Sequence, residues 1–191
     1  MFAIGRFTVT FSEWDAAQAH PEWREQAKIE PRKANDHGWG RGKQPAIDVS
    51  WNDAKAYCAW LSGVTGKSYY LPHEWDWERA CRAGSRTKYW WGDQISAERA
   101  NFAPSKRLMP VDSFEPNPWG LYQVHGNVRE WCEDVYLGAW PAPPGSPSRP
   151  PVRVVRGGAY NDSPVNLCSD DRGYDDPDTR RHDLGFRMAR R

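Results

Sequence analysis

RVVRGGAY (Arg153–Tyr160) and DLGFRMARR (Asp183–Arg191) bracket the stretch that decides how this chain is read. Both ends carry the apolar spacing of strands, and the second one closes the chain. Between them, from Tyr160 to Asp183, Asp, Asn, Ser, Gly and Pro dominate, with Arg172 and Arg180 set inside the run. These are turn formers, so the segment reads as a long, solvent-facing irregular region. A long irregular stretch in a compact domain is usually functional or disordered, and a strand at the C-terminus ties this one down. We therefore expect it to be functional.

Upstream, Phe2, Ile4, Phe7, Val9 and Phe11 nearly alternate and predict an opening strand. Ser12 is placed to cap a short helix from Asp15 to Ala19, and the polar run His20–Gln44 reads as a surface loop. Ser50 and Asp53 form a capping box. The helix behind them puts Ala54, Tyr57, Cys58 and Leu61 on one face and ends at Gly63 or Gly66. A second helix fits Pro72–Arg82, with Trp77, Ala80 and Cys81 on its apolar side and Gly84 as its stop. Short strands are expected at YYL (69–71), KYWWG (88–92), PVDSF (110–114), GLYQV (120–124) and REWCEDVY (129–136), and a Pro-rich exposed loop at Pro141–Pro151. Two helices, short irregular antiparallel strands and long loops make an α+β domain, with residues 1–191 as one unit.

Composition narrows the function classes. The formal net charge of +1 carries no electrostatic footprint for nucleic acid. No apolar run reaches membrane-spanning length, so membrane insertion is not expected. Met1–Thr10 lacks the layout of a signal peptide, which leaves the cytoplasm or a virion as the settings considered. The cysteines Cys58, Cys81, Cys132 and Cys168 are far apart, with no CxxC pair, and read as buried reduced thiols. Of the tryptophans, Trp75 with Trp77 and Trp90 with Trp91 are assigned to the core, and His125 to a structural role.

Several longer phrases carry a family signature. PAIDVSWNDAKAYCAWLSGVTGKSYYLPHEWDWERACRAG (Pro45–Gly84), NPWGLYQVHGNVREWCED (Asn117–Asp134), RVVRGGAY and LGFRMA (Leu184–Ala189), in that order, resemble the formylglycine-generating enzyme (sulfatase-modifying factor) family. The resemblance implies a C-type-lectin-like fold in which the N- and C-terminal strands pair. It also implies copper-dependent oxidation of a substrate cysteine by two thiols following the RGG motif, since thiolates suit Cu(I). Here those positions hold Asp162 and Leu167, and Cys168 stands alone, so no copper is expected. The family's GNxWEW motif, read here as Gly126–Trp131 with Arg129 at a Trp position, implies a structural calcium held by Asn127, Val128 and Glu130.

The same fold and RGG…GFR ending also resemble variable proteins of diversity-generating retroelements. In those systems adenines of Asn codons are randomised, which never yields Lys, Glu, Gln, Met or Trp. These five types make up 37 of the 191 residues, so about 4.6 are expected over the 24 positions Tyr160–Asp183, and none occurs. The residues that do occur there mix aromatic, acidic and small polar types, and Tyr with Ser, Gly and Asn is the set used by antibody-like binding surfaces. The expected ligand contacts are Tyr160, Asp162, Ser163, Val165, Asn166, Leu167, Asp170, Asp171, Gly173, Tyr174, Asp175, Asp176, Thr179, Arg181, His182 and Asp183, on a scaffold that includes Arg156, Gly157, Gly158, Arg172, Pro177, Arg180 and Gly185. The expectation is a non-catalytic protein whose Arg153–Arg191 segment displays a diversified face to a protein ligand on a cell or virion surface. The alternative is a family oxidoreductase or related activator built around Cys168.

Overall fold

The computed structural model describes residues 3–137 and 151–191. Its elements run in the order β1 (Ala3–Ile4), α1 (Phe11–Gln18), α2 (Trp23–Ala27), α3 (Trp51–Thr65), β2 (Tyr69–Tyr70), α4 (Glu74–Arg82), β3 (Arg129–Val135), β4 (Arg153–Arg156), a 3-10 turn at Pro164–Leu167, β5 (Gly173–Asp175), β6 (Leu184–Gly185) and β7 (Ala189–Arg190). The strands form two sheets, β1-β7-β2 and β5-β4-β3-β6. β1 and β7 pair antiparallel, so the chain ends close on each other as the fold resemblance implied. Within the described residues no helix is long and apolar enough to cross a membrane.

Local sequence explains the long helices well. The Ser50 hydroxyl accepts the Asp53 N–H and the Asp53 carboxylate accepts the Ser50 N–H, so α3 starts on the expected box. It ends at Gly66 in the left-handed conformation. α4 is capped in an unexpected way. His73 makes no cap hydrogen bond; instead Asp134 of β3 accepts the Glu74 N–H at 2.7 Å. A tertiary contact thus replaces a local one and locks α4 against the sheet.

Several local expectations are corrected. The opening strand is only Ala3–Ile4, and α1 begins at Phe11 behind a Thr10–Glu13 capping box rather than at Ser12. A further helix, α2, lies in the stretch read as loop. KYWWG contributes only the bridge between Tyr89 and Gly92, while PVDSF and GLYQV are turns without regular strand. The strands are not all antiparallel, because β6 runs parallel to β3. Most of the Pro141–Pro151 loop lies outside the described residues.

The main core packs Trp14, Trp23, Tyr57, Ile47, Trp131 and Phe186 around the inner face of α3. Beneath it lies a charged pair. Arg187 places its Nε 2.6 Å from Glu130 Oε2 and its Nη2 2.8 Å from Oε1, and both side chains are almost fully buried. Trp77 Nε1 donates to the same Glu130 carboxylate at 2.7 Å. The remaining guanidinium hydrogens reach the carbonyls of Gly5 and Tyr122. One side-chain pair therefore joins the N-terminal strand region, the Gly120–Val124 loop, β3, α4 and the C-terminal strand.

Removing one partner of such a pair leaves an uncompensated buried charge, which costs about 3–5 kcal/mol. Glu130→Ala is expected to destabilise the protein by that amount in denaturant or thermal unfolding. The paired change Glu130→Leu with Arg187→Met is expected to recover part of the loss, since no charge is then stranded but the Trp77 indole and the Gly5 and Tyr122 carbonyls lose their partners.

Candidate functional site

The RGG motif sets the site. Arg156 is fully buried at the end of β4 and donates to the carbonyls of Ser169 and Asp171 at 2.6 Å each, and to Glu78 of α4 at 2.6 Å. It thereby fixes the backbone that follows the 3-10 turn. Gly158 has φ of +69°, and a Cβ there would lie 2.6 Å from the Asn166 carbonyl oxygen, so only glycine lets the turn fold back this closely.

The far end of the segment is fastened to the start of α3. Arg180 makes two hydrogen bonds to the Asp53 carboxylate, at 2.8 and 3.0 Å, and Asn52 Nδ2 donates to Asp178 at 2.7 Å. Arg181 makes a two-point contact with Asp183, at 2.7 and 2.6 Å, and also reaches Asp175. Burial alone raises the Asp53 and Asp183 carboxyls, but the Arg180 and Arg181 guanidiniums outweigh it and hold both below their usual value.

Between these two fastenings opens a cavity of about 280 Å³, lined by Arg129, Val155, Asn166, Asp171, Arg172, Gly173, Tyr174 and Arg181. Its guanidiniums are already paired: Arg129 with Asp162, Arg172 with Glu74, Arg181 with Asp175 and Asp183. Burial pushes the Asp171 carboxyl up, against the opposing pull of Arg129 and Arg156. At the rim Tyr174 is 53% exposed and rests on Tyr136, with ring centroids 4.7 Å apart. The arrangement suits binding through a polar, charge-balanced pocket with an aromatic rim.

Of the sixteen expected contacts, Asn166, Asp171, Gly173, Tyr174 and Arg181 line this cavity. Ser163, Val165, Asp170 and His182 are exposed but do not line it, and Asp162, Asp175, Asp176 and Thr179 are half-buried. Tyr160, Leu167 and Asp183 are corrected: all three are buried, so their side chains do not face a ligand. Tyr160 packs on Trp39 and its hydroxyl lies 2.9 Å from His182 Nδ1. Leu167 fills space beside Gly126 and Gly158, and Asp183 is spent on Arg181.

Sequence reasoning missed Arg129 and Val155 as lining residues and treated Arg172 only as scaffold. It also placed Trp75 in the core, whereas Trp75 is 80% exposed and Trp77 is buried. Residues two apart on a helix point to opposite sides, and that spacing was the signal available.

The residues present do not fit a calcium ion in the GNVREW stretch. Both Glu130 oxygens face the Arg187 guanidinium, a fixed positive charge. Asn127 Oδ1 already accepts N–H groups from Asn101 and Met109 at 2.9 Å each. Among the described residues no cluster of three or more His, Cys, Asp or Glu is placed to hold a metal. All four cysteines are free and buried, and burial pushes the Cys58 and Cys81 thiols up to about 12 and Cys132 well above its usual value. Cys168 lies 3.9 Å from the Tyr89 hydroxyl with no second thiol bonded to it. His125 has both ring nitrogens engaged, by the Leu167 carbonyl at 2.7 Å and the Trp90 N–H at 3.1 Å. Burial lowers it to about 4, so it is neutral and structural.

With this geometry established, comparison with known proteins gives a consistent result. The model of the sulfatase-modifying factor enzyme 1-like domain matches residues 1–191. The formylglycine-generating enzyme of Streptomyces coelicolor is 34% identical over 189 residues, covering 83% of this chain and 56% of that protein. The chain spans between a quarter and just over half the length of such curated relatives. Among solved structures, PvdO from Pseudomonas aeruginosa superposes with a TM-score of 0.78 at 30% identity, over 99% of this chain and 80% of that one. Treponema denticola variable protein 1 gives 0.77 at 24% identity, over 100% and 84%, and shows a shared C-type-lectin-like fold.

The two depressed carboxylates make acid stability a direct test of how the segment is fastened. A carboxyl held below its unfolded value of 3.8 adds stability above that value and loses it as pH falls through the lower folded value. The melting temperature is expected to be flat above about pH 5 and to drop below the unfolded value. Asp53→Asn should lower it at neutral pH and flatten the acid limb, which a pH series of thermal melts reads directly.

Proposed function

The chain belongs to the sulfatase-modifying factor enzyme 1-like domain family, and from that premise we propose that it is a non-catalytic binding protein whose C-terminal face is diversified. Its ligand is a protein on a cell or virion surface. The observation that carries this reading is one coincidence of sequence and geometry. The segment that lacks Lys, Glu, Gln, Met and Trp supplies most of the wall and rim of the cavity. Its backbone is meanwhile held from outside by Arg156, which takes the Ser169 and Asp171 carbonyls, and its Arg180 and Asp178 side chains are fastened to Asp53 and Asn52.

The chemistry of the thiol positions supports the same reading over an oxidase. Asp162, at one of them, holds Arg129 and the Ala159 N–H; Leu167, at the other, is buried in an apolar cluster. A nucleophilic or copper-binding sulfur has to be an accessible thiolate, and burial of the remaining thiols works against that form. Mechanism here means presentation. The frame fixes the loop in advance, so side-chain changes on its outer surface alter affinity without the cost of ordering the loop on binding.

Two measurements test the proposal. Sequencing the DNA around the gene is expected to show a near-copy of the Arg153–Ala189 coding segment beside a reverse transcriptase gene. The copy should differ at adenines of codons for outward residues such as Ser163, Asn166, Asp170 and Tyr174. Absence of such a copy, together with copper-dependent oxidation of a cysteine peptide by the purified protein, would favour the oxidoreductase instead. In the protein itself, Tyr174→Ala should abolish binding to a cognate target with an unchanged melting temperature. Tyr160→Ala should instead destabilise by about 3 kcal/mol, because it empties a core position.

A further inference from the structure

Outside the C-terminal segment, the most exposed large aromatic on the helices is Trp75, at 80%. It stands between two depressions. One, of about 230 Å³, is shared with Glu74, Glu78 and Arg172 and so adjoins the cavity already described. The other, of about 330 Å³, continues from Trp75 past Arg79 and Arg82 to Arg86. The charges along this second depression do not cancel. Glu78 is taken by Arg82 at 2.8 Å and by Arg156 at 2.6 Å. Among the described residues Arg79 and Arg86 have no carboxylate partner, and both are exposed. The Arg79 guanidinium sits 5.8 Å from the ring of Trp119, itself half-exposed.

We propose that Trp75, Arg79 and Arg86 form a constant anchor that takes a short acidic peptide segment carrying one aromatic side chain. This rests on the reading of the adjoining face as a protein-binding surface. An uncovered indole beside guanidiniums is the residue set that dominates binding energy at protein interfaces, and the unpaired guanidiniums match carboxylates in two-point contacts. A nucleic acid backbone fits less well: two unpaired cations on a chain of net charge +1 make no phosphate track. Because none of the three residues lies in Tyr160–Asp183, the anchor stays fixed while the neighbouring face changes. The fixed anchor supplies baseline affinity for acidic partners, and the changeable face selects among them.

The test uses the full chain and fluorescein-labelled Glu-Glu-Phe-Glu-Glu and Lys-Lys-Phe-Lys-Lys, read by fluorescence anisotropy at low and high salt. The acidic peptide is expected to bind, the basic one not, and binding should weaken as salt rises. Trp75→Ala and the double change Arg79→Glu, Arg86→Glu should each weaken it about tenfold or more with unchanged melting temperatures, as the exposure of these side chains requires. Equal binding of the two peptides, variants that bind like the parent, or stronger displacement by an oligothymidylate would overturn the proposal. Acidic-peptide binding through Trp75 in a gene with no adenine-varied copy would keep the anchor and remove the diversified face. A Tyr174-dependent target indifferent to Trp75→Ala would do the reverse.

Discussion

The Arg187–Glu130 pair is the constraint on which the rest of the structure depends. The regular strands are short, several of only two residues, and ladders of that length cannot fix a fold by themselves. What closes the chain is a buried guanidinium whose donors reach a carboxylate on β3 and two backbone carbonyls in segments far apart in sequence. A buried ion pair is weak evidence of net stability, because desolvation cancels much of the attraction. Its effect is specificity: an alternative packing that separates the two groups leaves a charge stranded in the core. The Trp77 indole, bonded to the same carboxylate, extends that requirement to α4.

A second buried guanidinium repeats the device under the C-terminal segment. Arg156 ties α4 to the backbone of Ser169 and Asp171, and its ring-facing side lies 5.4 Å from Trp77. The two arginines thus share Trp77 as a common neighbour. The outer loop is therefore positioned through its backbone carbonyls, by groups outside the run Tyr160–Asp183. Its Arg180 and Asp178 side chains add fastenings to Asp53 and Asn52, while Ser163, Val165 and Tyr174 stand exposed. That separation of backbone support from side-chain identity is what a surface open to substitution requires. Tyr160, Leu167 and Asp183 show where it stops, since each has a core or ion-pair duty.

How much of this could be read beforehand follows the range of the interactions. Local signals were legible: the Ser50–Asp53 box starts α3 where its sequence says, and β3 and β4 lie within the stretches read as strands. The Thr10–Glu13 box was hidden by the alternation that runs through Phe7, Val9 and Phe11, which mimics a strand while Phe11 already belongs to a helix. KYWWG is rich in strand-forming residues, but the Tyr89–Gly92 bridge folds it into a tight turn that no pattern of single residues announces. The candidate site was half legible. Its C-terminal wall was found from composition, while Arg129 and Val155 come from strands that only the tertiary structure brings to the same cavity. Exposure was misread for Tyr160 because its hydroxyl meets His182 and its ring meets Trp39, two partners remote in sequence.

Leu167 stands at one of the two positions where the family resemblance implies a thiol, and it is fully buried. A Cβ placed on Gly158 would come within 2.8 Å of one Leu167 methyl, and one on Gly126 within 2.9 Å of the other. The side chain is a wedge between two close backbone turns, in contact with the Tyr89 and Ala100 cluster. A thiol returned to this position would leave part of that space empty and would sit in apolar surroundings that favour its neutral form. Restoring the sulfur atom alone would therefore not restore thiolate chemistry, because the packing around position 167 has closed over it. Asp162 adds to the same barrier: its carboxylate holds Arg129 and the Ala159 amide, so a thiol there would release a guanidinium that is largely buried. Catalysis and presentation place opposite demands on these two positions, an accessible sulfur in one case and a closed, supported turn in the other. The side chains found here build the closed, supported turn.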